Sequence, residues 1–194
     1  VNDRSINSIE KAAGKKVAVL EWDKSQAKLV QQLGAQPVAS DISNFAGKFN
    51  NGQVDVIVAP ALVYLPLELY RGLGTKGAIF RFPVVMISGS IVINRERLQQ
   101  QVPDLDARIE LMRQYAYGSV EDAFSYVAKS EKEVPEKYWL DLTPADKDKY
   151  QRMLREARLM LTQDGTYDPQ MMKVLKRVRC KAEPQNYECA LKDE

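Results

Sequence analysis

The 194 residues of this sequence include no histidine. Any acid–base, nucleophilic or metal-binding chemistry would therefore depend on its carboxylates, lysines, arginines, tyrosines and two cysteines. The chain therefore lacks Ser-His-Asp and Cys-His catalysis, histidine-ligated zinc and imidazole pH switches. It also has no dinucleotide-binding glycine fingerprint, P-loop or nucleophile-elbow motif. Carboxylates are numerous, but nothing in the sequence selects one pair for acid–base catalysis. We therefore expect a protein that is not an enzyme and that uses no metal and no cofactor.

The two cysteines, Cys180 and Cys189, lie close together near the end of the chain. Their spacing does not fit a CxxC motif, and two thiols are too few for a structural zinc site. A disulfide between them would tie the C-terminal tail to the last helix and stabilise the fold by about 2–3 kcal/mol. It would also indicate an oxidising compartment. The alternative is two unpaired thiols in a cytosolic protein.

Charge and hydropathy exclude several classes of partner. The formal net charge of +2 favours neither nucleic acid nor an acidic membrane surface. Two basic clusters are more typical of solvated helix faces, and they comprise Arg152, Arg155, Arg158, Lys173, Lys176, Arg177, Arg179 and Lys181. No apolar run approaches the roughly 20 residues of a membrane helix. Val1–Gly14 is too polar for a signal peptide, so an exported protein would carry its signal outside this chain.

Short strands and helices alternate in the first half of the chain. Strands are predicted over Lys16–Leu20, Ala35–Ala39 and Val54–Val58. The helices between them begin at Asp23 and Asp41, whose carboxylates suit N-cap positions. This alternation predicts an open, mostly parallel α/β sheet.

Three further elements complete the predicted α/β half. Ser5–Ala13 resembles a short helix, and Pro66 opens another that ends near Gly72 and Gly74. The stretch Ile79–Ile93 is rich in β-branched and aromatic residues, so it predicts a long strand that could be shared between two lobes.

The second half of the chain is predicted to be helical. One helix is expected from Leu105 to about Lys129, with a kink or break at Gly118-Ser119. Two later helices begin at Thr143-Pro144 and Asp168-Pro169, which pair an N-cap residue with proline at the first helical position. The last helix is expected to bury an apolar stripe made of Met171, Val174, Leu175 and Val178.

A series of motifs in the first half resembles the TRAP-type (DctP-like) extracytoplasmic solute-binding proteins. The series is Gly14-Lys15-Lys16-Val17-Ala18-Val19, Gly34-Ala35-Gln36-Pro37, Ser43, Val54-Asp55 and Pro60. It is similar in order and spacing to that family's series over about Ser5–Leu98. The second half resembles a divergent, AdeT-like subgroup in three places: Tyr138-Trp139, Tyr167-Asp168 and the Cys180–Cys189 loop.

The resemblance implies a periplasmic binding protein type II-like lobe followed by C-terminal helices. It places an α/β ligand-binding lobe with a hinge strand at residues 1–98 and a helical part packed on it at 99–194. It further implies a periplasmic location, a small organic ligand bound in an interlobe cleft, and membrane permease subunits as partners. The family's first N-terminal βαβ units are expected to lie outside this chain.

Candidate ligand-binding residues follow from the rule that open α/β sheets bind ligands where parallel strands end. That rule, with nearby side chains that could reach a ligand, selects Glu21, Trp22, Ile42, Ser43, Asn44, Ala59, Tyr64 and Arg81. Each has a structural alternative: Trp22 as a half-buried surface ring, Tyr64 as a packing residue, and Arg81 as a salt-bridge residue. Asp23 is expected to serve as a helix cap.

Two positions depart from the family pattern. The family's carboxylate-clamping arginine corresponds to Ala18, and the asparagine before its closing proline corresponds to Ala59. Both changes remove polar groups that would recognise a ligand. These departures from the family pattern predict a ligand that is larger, less acidic or more apolar than the family's usual organic acids. The alternative function is an accessory or efflux-associated scaffold that kept the fold and lost the carboxylate site.

Overall fold

The structure is a computed structural model that describes residues 1–85 and 91–192. Its strands are β1 (Lys16–Leu20), β2 (Gln36–Ser40), β3 (Ile79–Phe80) and β4 (Trp139–Leu140). Its helices are α1 (Ile9–Ala12), α2 (Lys24–Gln32), α3 (Phe45–Asn50), α4 (Tyr70–Leu73), α5 (Arg95–Gln99), α6 (Leu105–Gly118), α7 (Val120–Glu133), α8 (Pro144–Gln163) and α9 (Pro169–Ala182). Single 3-10 turns occupy Ala61–Val63, Glu136–Tyr138 and Tyr187–Ala190.

Strand β1 lies between two parallel neighbours. It pairs with β2 from Lys16 opposite Gln36 to Leu20 opposite Ser40. On its other side, the Val17–Val56 bridge is also parallel. The parallel direction predicted for the sheet is therefore confirmed, although the third predicted strand is reduced to this bridge. The amides of Asp55 and Val56 both donate to the Lys16 carbonyl, which interrupts a regular ladder.

Two glycines place the starts of β1 and β2 side by side. Gly14 and Gly34 follow α1 and α2 with φ values of 73° and 70°, which glycine adopts without steric cost. The Gly14 amide donates to the Gly34 carbonyl at 2.8 Å. The helix predicted over Ser5–Ala13 is shorter than expected, because the Ser8 hydroxyl caps it and the helical residues begin at Ile9.

The predicted long strand over Ile79–Ile93 is wrong for the described residues. Only β3 pairs, with β4 in parallel, while residues 81–85 and 91–93 are irregular. Pro83 cannot donate to a ladder, which limits pairing there. Ile87 lies outside the described residues. The helix predicted from Pro66 begins only at Tyr70, because Glu68 has a φ of 50° and interrupts it.

The α/β half and the C-terminal helices share a core. Phe49 and Val54 are almost fully buried, and Tyr138 packs in the same cluster. A second cluster joins Leu142, Tyr150 and Met153 to Ile9 of α1, Leu29 of α2 and Leu33 just after α2. Burial of apolar area is the main stabilising term, so α8 is fixed against the α/β half by these contacts.

Exposed ion pairs accompany the packing of α8 on α1 and α2. The Lys149 ammonium lies 2.6 Å from the Glu10 carboxylate, and Lys28 pairs with Asp164. These pairs lower the pKa values of Glu10 and Asp164 to about 2, chiefly through the hydrogen bonds that the lysines donate.

The helices of the second half confirm the predicted start signals and break. Thr143 and Asp168 cap α8 and α9 with their side chains, and α6 ends at Gly118 just before α7 begins. The predicted buried stripe of α9 is wrong: its members are 42–60% exposed, and they are Met171, Val174, Leu175 and Val178. Met172 and Lys176 are the buried residues of α9 instead. The sequence period identifies the helix, but packing selects which side is covered.

Candidate functional site at the strand ends

The C-terminal ends of β1 and β2 meet at one edge of the sheet. The Glu21 amide, just past β1, donates to the Ser40 carbonyl at the end of β2 over 3.0 Å. Residues 54–58 run parallel on the other side of β1, where the Ala18 amide donates to the Val56 carbonyl at 2.9 Å. The chain segments that follow all three therefore leave the sheet at the same edge.

The turn after β1 presents Glu21 and Trp22 to solvent. Trp22 is 66% exposed, and Glu21 is exposed beside it. The Asp23 carboxylate accepts from the Gln26 amide at 3.0 Å, so the expected helix cap is confirmed. The Gln26 side-chain carbonyl accepts from the Leu20 amide at 2.7 Å. These bonds hold the turn on which the indole ring of Trp22 is displayed.

The turn after β2 is organised by Asp41. Its carboxylate accepts from the Ser43 amide at 2.7 Å, the Ser43 hydroxyl at 2.5 Å and the Asn44 amide at 3.1 Å. The hydrogen bond from the Ser43 side chain is the largest cause that lowers the pKa of Asp41. Ile42 is left 69% exposed by this turn. The edge therefore offers an apolar Ile42 side chain, while the polar groups of Ser43 and Asn44 serve the turn itself.

Lys48 is a charged residue at this edge that sequence analysis did not select. Its ammonium group donates to the Ala39 carbonyl and lies 3.4 Å from the Ser40 hydroxyl. Lys48 is one helical turn into α3, which returns it to the end of β2. No local signal in the sequence marks this approach, because it depends on how α3 packs on the sheet.

The other candidate side chains are engaged in packing or ion pairs. Ala59 is half-buried against the main core. Tyr64 is 4% exposed, and its ring centroid lies 6.1 Å from that of Tyr70. Burial raises the pKa of Tyr64. Arg81 stacks 4.9 Å above the Trp139 ring and pairs with Glu136. These contacts fit the alternative roles given above, in which Tyr64 is a packing residue and Arg81 a salt-bridge residue.

Two concavities in the described residues lie away from this edge. A groove of about 500 Å³ is apolar and is lined by Ile91, Leu111, Met112, Tyr115, Ala116 and Ser119. A smaller one of about 340 Å³ is lined by Ser5, Ile6, Lys11 and Lys15. The strand-end residues form an open surface, so a ligand there would need a second wall to be enclosed.

The described residues contain neither a cluster suited to a metal ion nor a helix suited to a membrane. In the ranges 1–85 and 91–192, no group of three or more Cys, Asp or Glu side chains is arranged to hold a metal ion. Among those same residues, every helix is too short or too polar to cross a lipid bilayer.

Sequence comparison identifies relatives over the whole chain. The family described as solute-binding protein AdeT 1/2 matches residues 1–194. AdeT1 of Acinetobacter baumannii, a probable solute-binding protein, is 45% identical over 194 residues, which are 100% of this chain and 62% of AdeT1. AdeT2 of the same organism, also a probable solute-binding protein, is 27% identical over 188 residues, which are 97% of this chain and 76% of AdeT2. The chain thus spans less than two thirds of AdeT1.

Solved structures with a similar fold are TRAP periplasmic solute-binding proteins. One from Ralstonia eutropha H16, with bound (S)-2-acetolactate, gives a TM-score of 0.58 at 19% identity, covering 85% of this chain and 54% of that one. Another from Desulfovibrio salexigens, with bound orotic acid, gives 0.56 at 16% identity, covering 89% and 56%. At such identity the likeness establishes the fold alone. The chain belongs to the AdeT 1/2 family of solute-binding proteins and has the type II-like fold of TRAP periplasmic binding proteins.

Proposed function

We propose that this chain is a ligand-binding lobe of a periplasmic solute receptor, with its ligand surface at the shared edge of β1, β2 and residues 54–58. The observation that carries the proposal is the junction of the strand ends, where the Glu21 amide bonds the Ser40 carbonyl beside an exposed Trp22. Such edges are where open α/β sheets bind ligands. The ligand would contact Glu21, Trp22 and the Ile42–Asn44 turn, with no chemical step.

The ligand class follows from what this edge lacks and displays. Ala18 is 4% exposed and directs its methyl group into the core, so no guanidinium of β1 is available to clamp a carboxylate. Trp22 and Ile42 instead add exposed apolar surface. Indole rings stack well on flat or ring-bearing molecules. We therefore assign a ligand that is larger, less acidic or more apolar than a simple organic acid.

Enclosure of the ligand would require a second lobe that closes over this edge. Residues 1–98 would supply one lobe with the hinge, and 99–194 the helices packed on it. Closure would be selected by contacts that the ligand makes with both lobes. Membrane permease subunits would then receive the closed receptor. A periplasmic location suits the Cys180–Cys189 disulfide, because disulfides persist in oxidising compartments.

The test is calorimetric titration with two ligand sets on the same preparation. One set contains dicarboxylates and sialate-like acids, and the other contains neutral or ring-bearing metabolites. We expect saturable binding only from the second set, and weaker binding after Trp22→Ala. Micromolar binding of the acids would contradict the ligand class. Binding that is unchanged by Trp22→Ala would contradict the location of the site.

An accessory or efflux-associated scaffold is the second candidate. It is favoured by the residues at positions where the family has polar groups. Ala18 and Ala59 replace such groups and pack on the core, and the Ser43 hydroxyl donates to the Asp41 carboxylate. A thermal-shift screen of small metabolites separates the two candidates, because a ligand that binds the native state raises its melting temperature. Reproducible stabilisation supports the receptor, and a screen without any stabilising compound supports the scaffold.

A further inference from the structure

The C-terminal tail folds back over the last two helices. After α9 ends, residues 183–192 turn so that Cys189 forms a disulfide with Cys180 of α9. The neighbouring residue, Glu188, is 5% exposed although it carries a carboxylate. The tail therefore places a buried charge directly beside a covalent link.

Glu188 joins α8 to α9. One carboxylate oxygen lies 2.7 Å from a guanidinium nitrogen of Arg158 on α8, and the other lies 2.7 Å from Nε of Arg179 on α9. Charge-assisted hydrogen bonds of this kind are stronger than neutral ones. The tail thus connects α8 to α9 in addition to the loop at residues 164–168.

The electrostatics keep Glu188 ionised in this position. Burial is the largest single effect and raises its pKa, but the Arg179 hydrogen bond and the charges of Arg179, Arg158 and Lys176 together outweigh it. The net result is a lowered pKa. A buried carboxylate is stable only while its cationic partners remain in place, because an unpaired buried charge is costly.

Two further contacts fasten the same tail. The buried Lys176 ammonium donates to the Leu191 carbonyl at 2.6 Å, and the Tyr187 ring lies 4.6 Å below the Arg152 guanidinium. By contrast, most apolar residues of α9 are exposed, and Met172 is its buried apolar contact. Polar contacts of the tail therefore add to the burial of Met172 in fixing α9 to the rest of the molecule.

We propose that the disulfide and Glu188 form a two-part redox latch that holds α9 against α8. In its closed state, the Cys180–Cys189 bond confines Glu188 to the position between Arg158 and Arg179. A dithiol reductant opens the latch: it donates two electrons and two protons, the two cysteines become thiols, and the reductant becomes a disulfide. Without the cross-link, the tail can adopt more conformations. Burying Glu188 between the two arginines then costs more conformational entropy than it does in the oxidised protein. Docking of α9 is thus conditional on an oxidising environment.

The experiment is hydrogen exchange of the full 194-residue chain, followed by mass spectrometry in oxidised buffer and in buffer with dithiothreitol. We expect exchange to accelerate by about tenfold or more in residues 183–192, in α9 and in the Arg158 turn of α8. Exchange in β1 and β2 should not change, which provides the internal control. The Cys180→Ser/Cys189→Ser double variant should reproduce the reduced pattern without any reductant.

Glu188→Gln tests the second part of the latch while keeping the disulfide and the side-chain shape. Its oxidised form should exchange faster than the oxidised parent at α9 and at the Arg158 turn, and reduction should accelerate it further. Acceleration confined to the tail, with α9 and the Arg158 turn unchanged on reduction, would overturn the proposal. Equal exchange of Glu188→Gln and the parent would overturn it as well.

Discussion

The Ala18 amide donates to the Val56 carbonyl at 2.9 Å, while the Ala18 methyl group is buried near Phe49 and Val54. This arrangement fixes β1 to its neighbour and leaves no room for a long side chain. We expect Ala18→Arg to destabilise the fold by several kcal/mol, because it would place an unpaired charge and extra volume in the core. Chemical denaturation measures the change. Lys16→Arg, on the exposed start of the same strand, is the control and should be close to neutral.

Substitution of Trp22 should weaken ligand binding while leaving the stability of the fold almost unchanged. Because its ring is 66% exposed, Trp22→Ala should change the free energy of unfolding by no more than about 0.5 kcal/mol. Loss of stacking should nevertheless weaken ligand binding by about tenfold, equivalent to roughly 1.4 kcal/mol. Parallel melting and titration curves measure both effects. Trp22→Phe is the matched control, since it keeps an aromatic face and should retain most of the affinity.

Gly72 predicts a steric effect in the main core. A Cβ at this position would lie 2.5 Å from Cε1 of Phe49, which is 1% exposed and has little space to move. Gly72→Ala should therefore destabilise the fold by about 1–3 kcal/mol, as other overpacked cores do. Gly118→Ala is the control, because a Cβ there meets nothing within 4 Å. Adding Phe49→Leu to Gly72→Ala should recover part of the loss. Equal free energies of unfolding for Gly72→Ala and Gly118→Ala would contradict the close approach of Gly72 to Phe49.

The ion pairs of α8 predict an acid-sensitive contribution to stability. The pKa of Glu10 is lowered from 4.5 to about 2 by Lys149, and that of Asp164 from 3.8 to about 2 by Lys28. A lowered folded-state pKa stabilises the fold above the unfolded value, and this contribution is lost as the pH falls from about 4.5 towards 2. Glu10→Gln/Asp164→Asn should show a shallower loss of stability over that range in pH-dependent denaturation. Curves that stay parallel to the parent would exclude these pairs as the cause.

The buried and exposed sides of α9 should respond differently to substitution. Met172 is 6% exposed, so Met172→Ala should cost about 2–5 kcal/mol of stability through the cavity that it leaves. Val178 is 60% exposed, so Val178→Ser should cost less than about 0.5 kcal/mol. Thermal unfolding of the two variants distinguishes the sides of the helix. A larger loss from Val178→Ser would mean that the exposed side is covered in solution.

Local signals predicted the parts of the fold that depend on local chemistry. Asp23, Thr143 and Asp168 cap helices as expected, because an N-cap bond involves residues within one turn. The cap predicted at Asp41 is wrong: α3 begins at Phe45 after Asn44, and the Asp41 carboxylate holds the turn before it. The break at Gly118 and the pairing of Cys180 with Cys189 were also predicted. Each of these features is decided within about ten residues of sequence.

Features that depend on tertiary partners were harder to predict. Ile79–Ile93 has strong β propensity, but among its described residues, 79–85 and 91–93, a strand forms only where Trp139-Leu140 is available to pair. The same limit applies at the candidate site. The position of Trp22 at a strand end followed from the alternating pattern, whereas the approach of Lys48 to the Ala39 carbonyl depends on how α3 packs. Propensity specifies what a segment can form, and its neighbours decide what it does form.

The hydrogen bond between Gly14 and Gly34 has a consequence for how the chain folds. It closes a loop of about twenty residues, and it brings β1 and β2 together at their first residues with α2 between them. Contacts so near in sequence cost little chain entropy, so this β–α–β unit should assemble early and rapidly. The later arrival of residues 54–58, α8 and the tail would then build on a template whose register is already set.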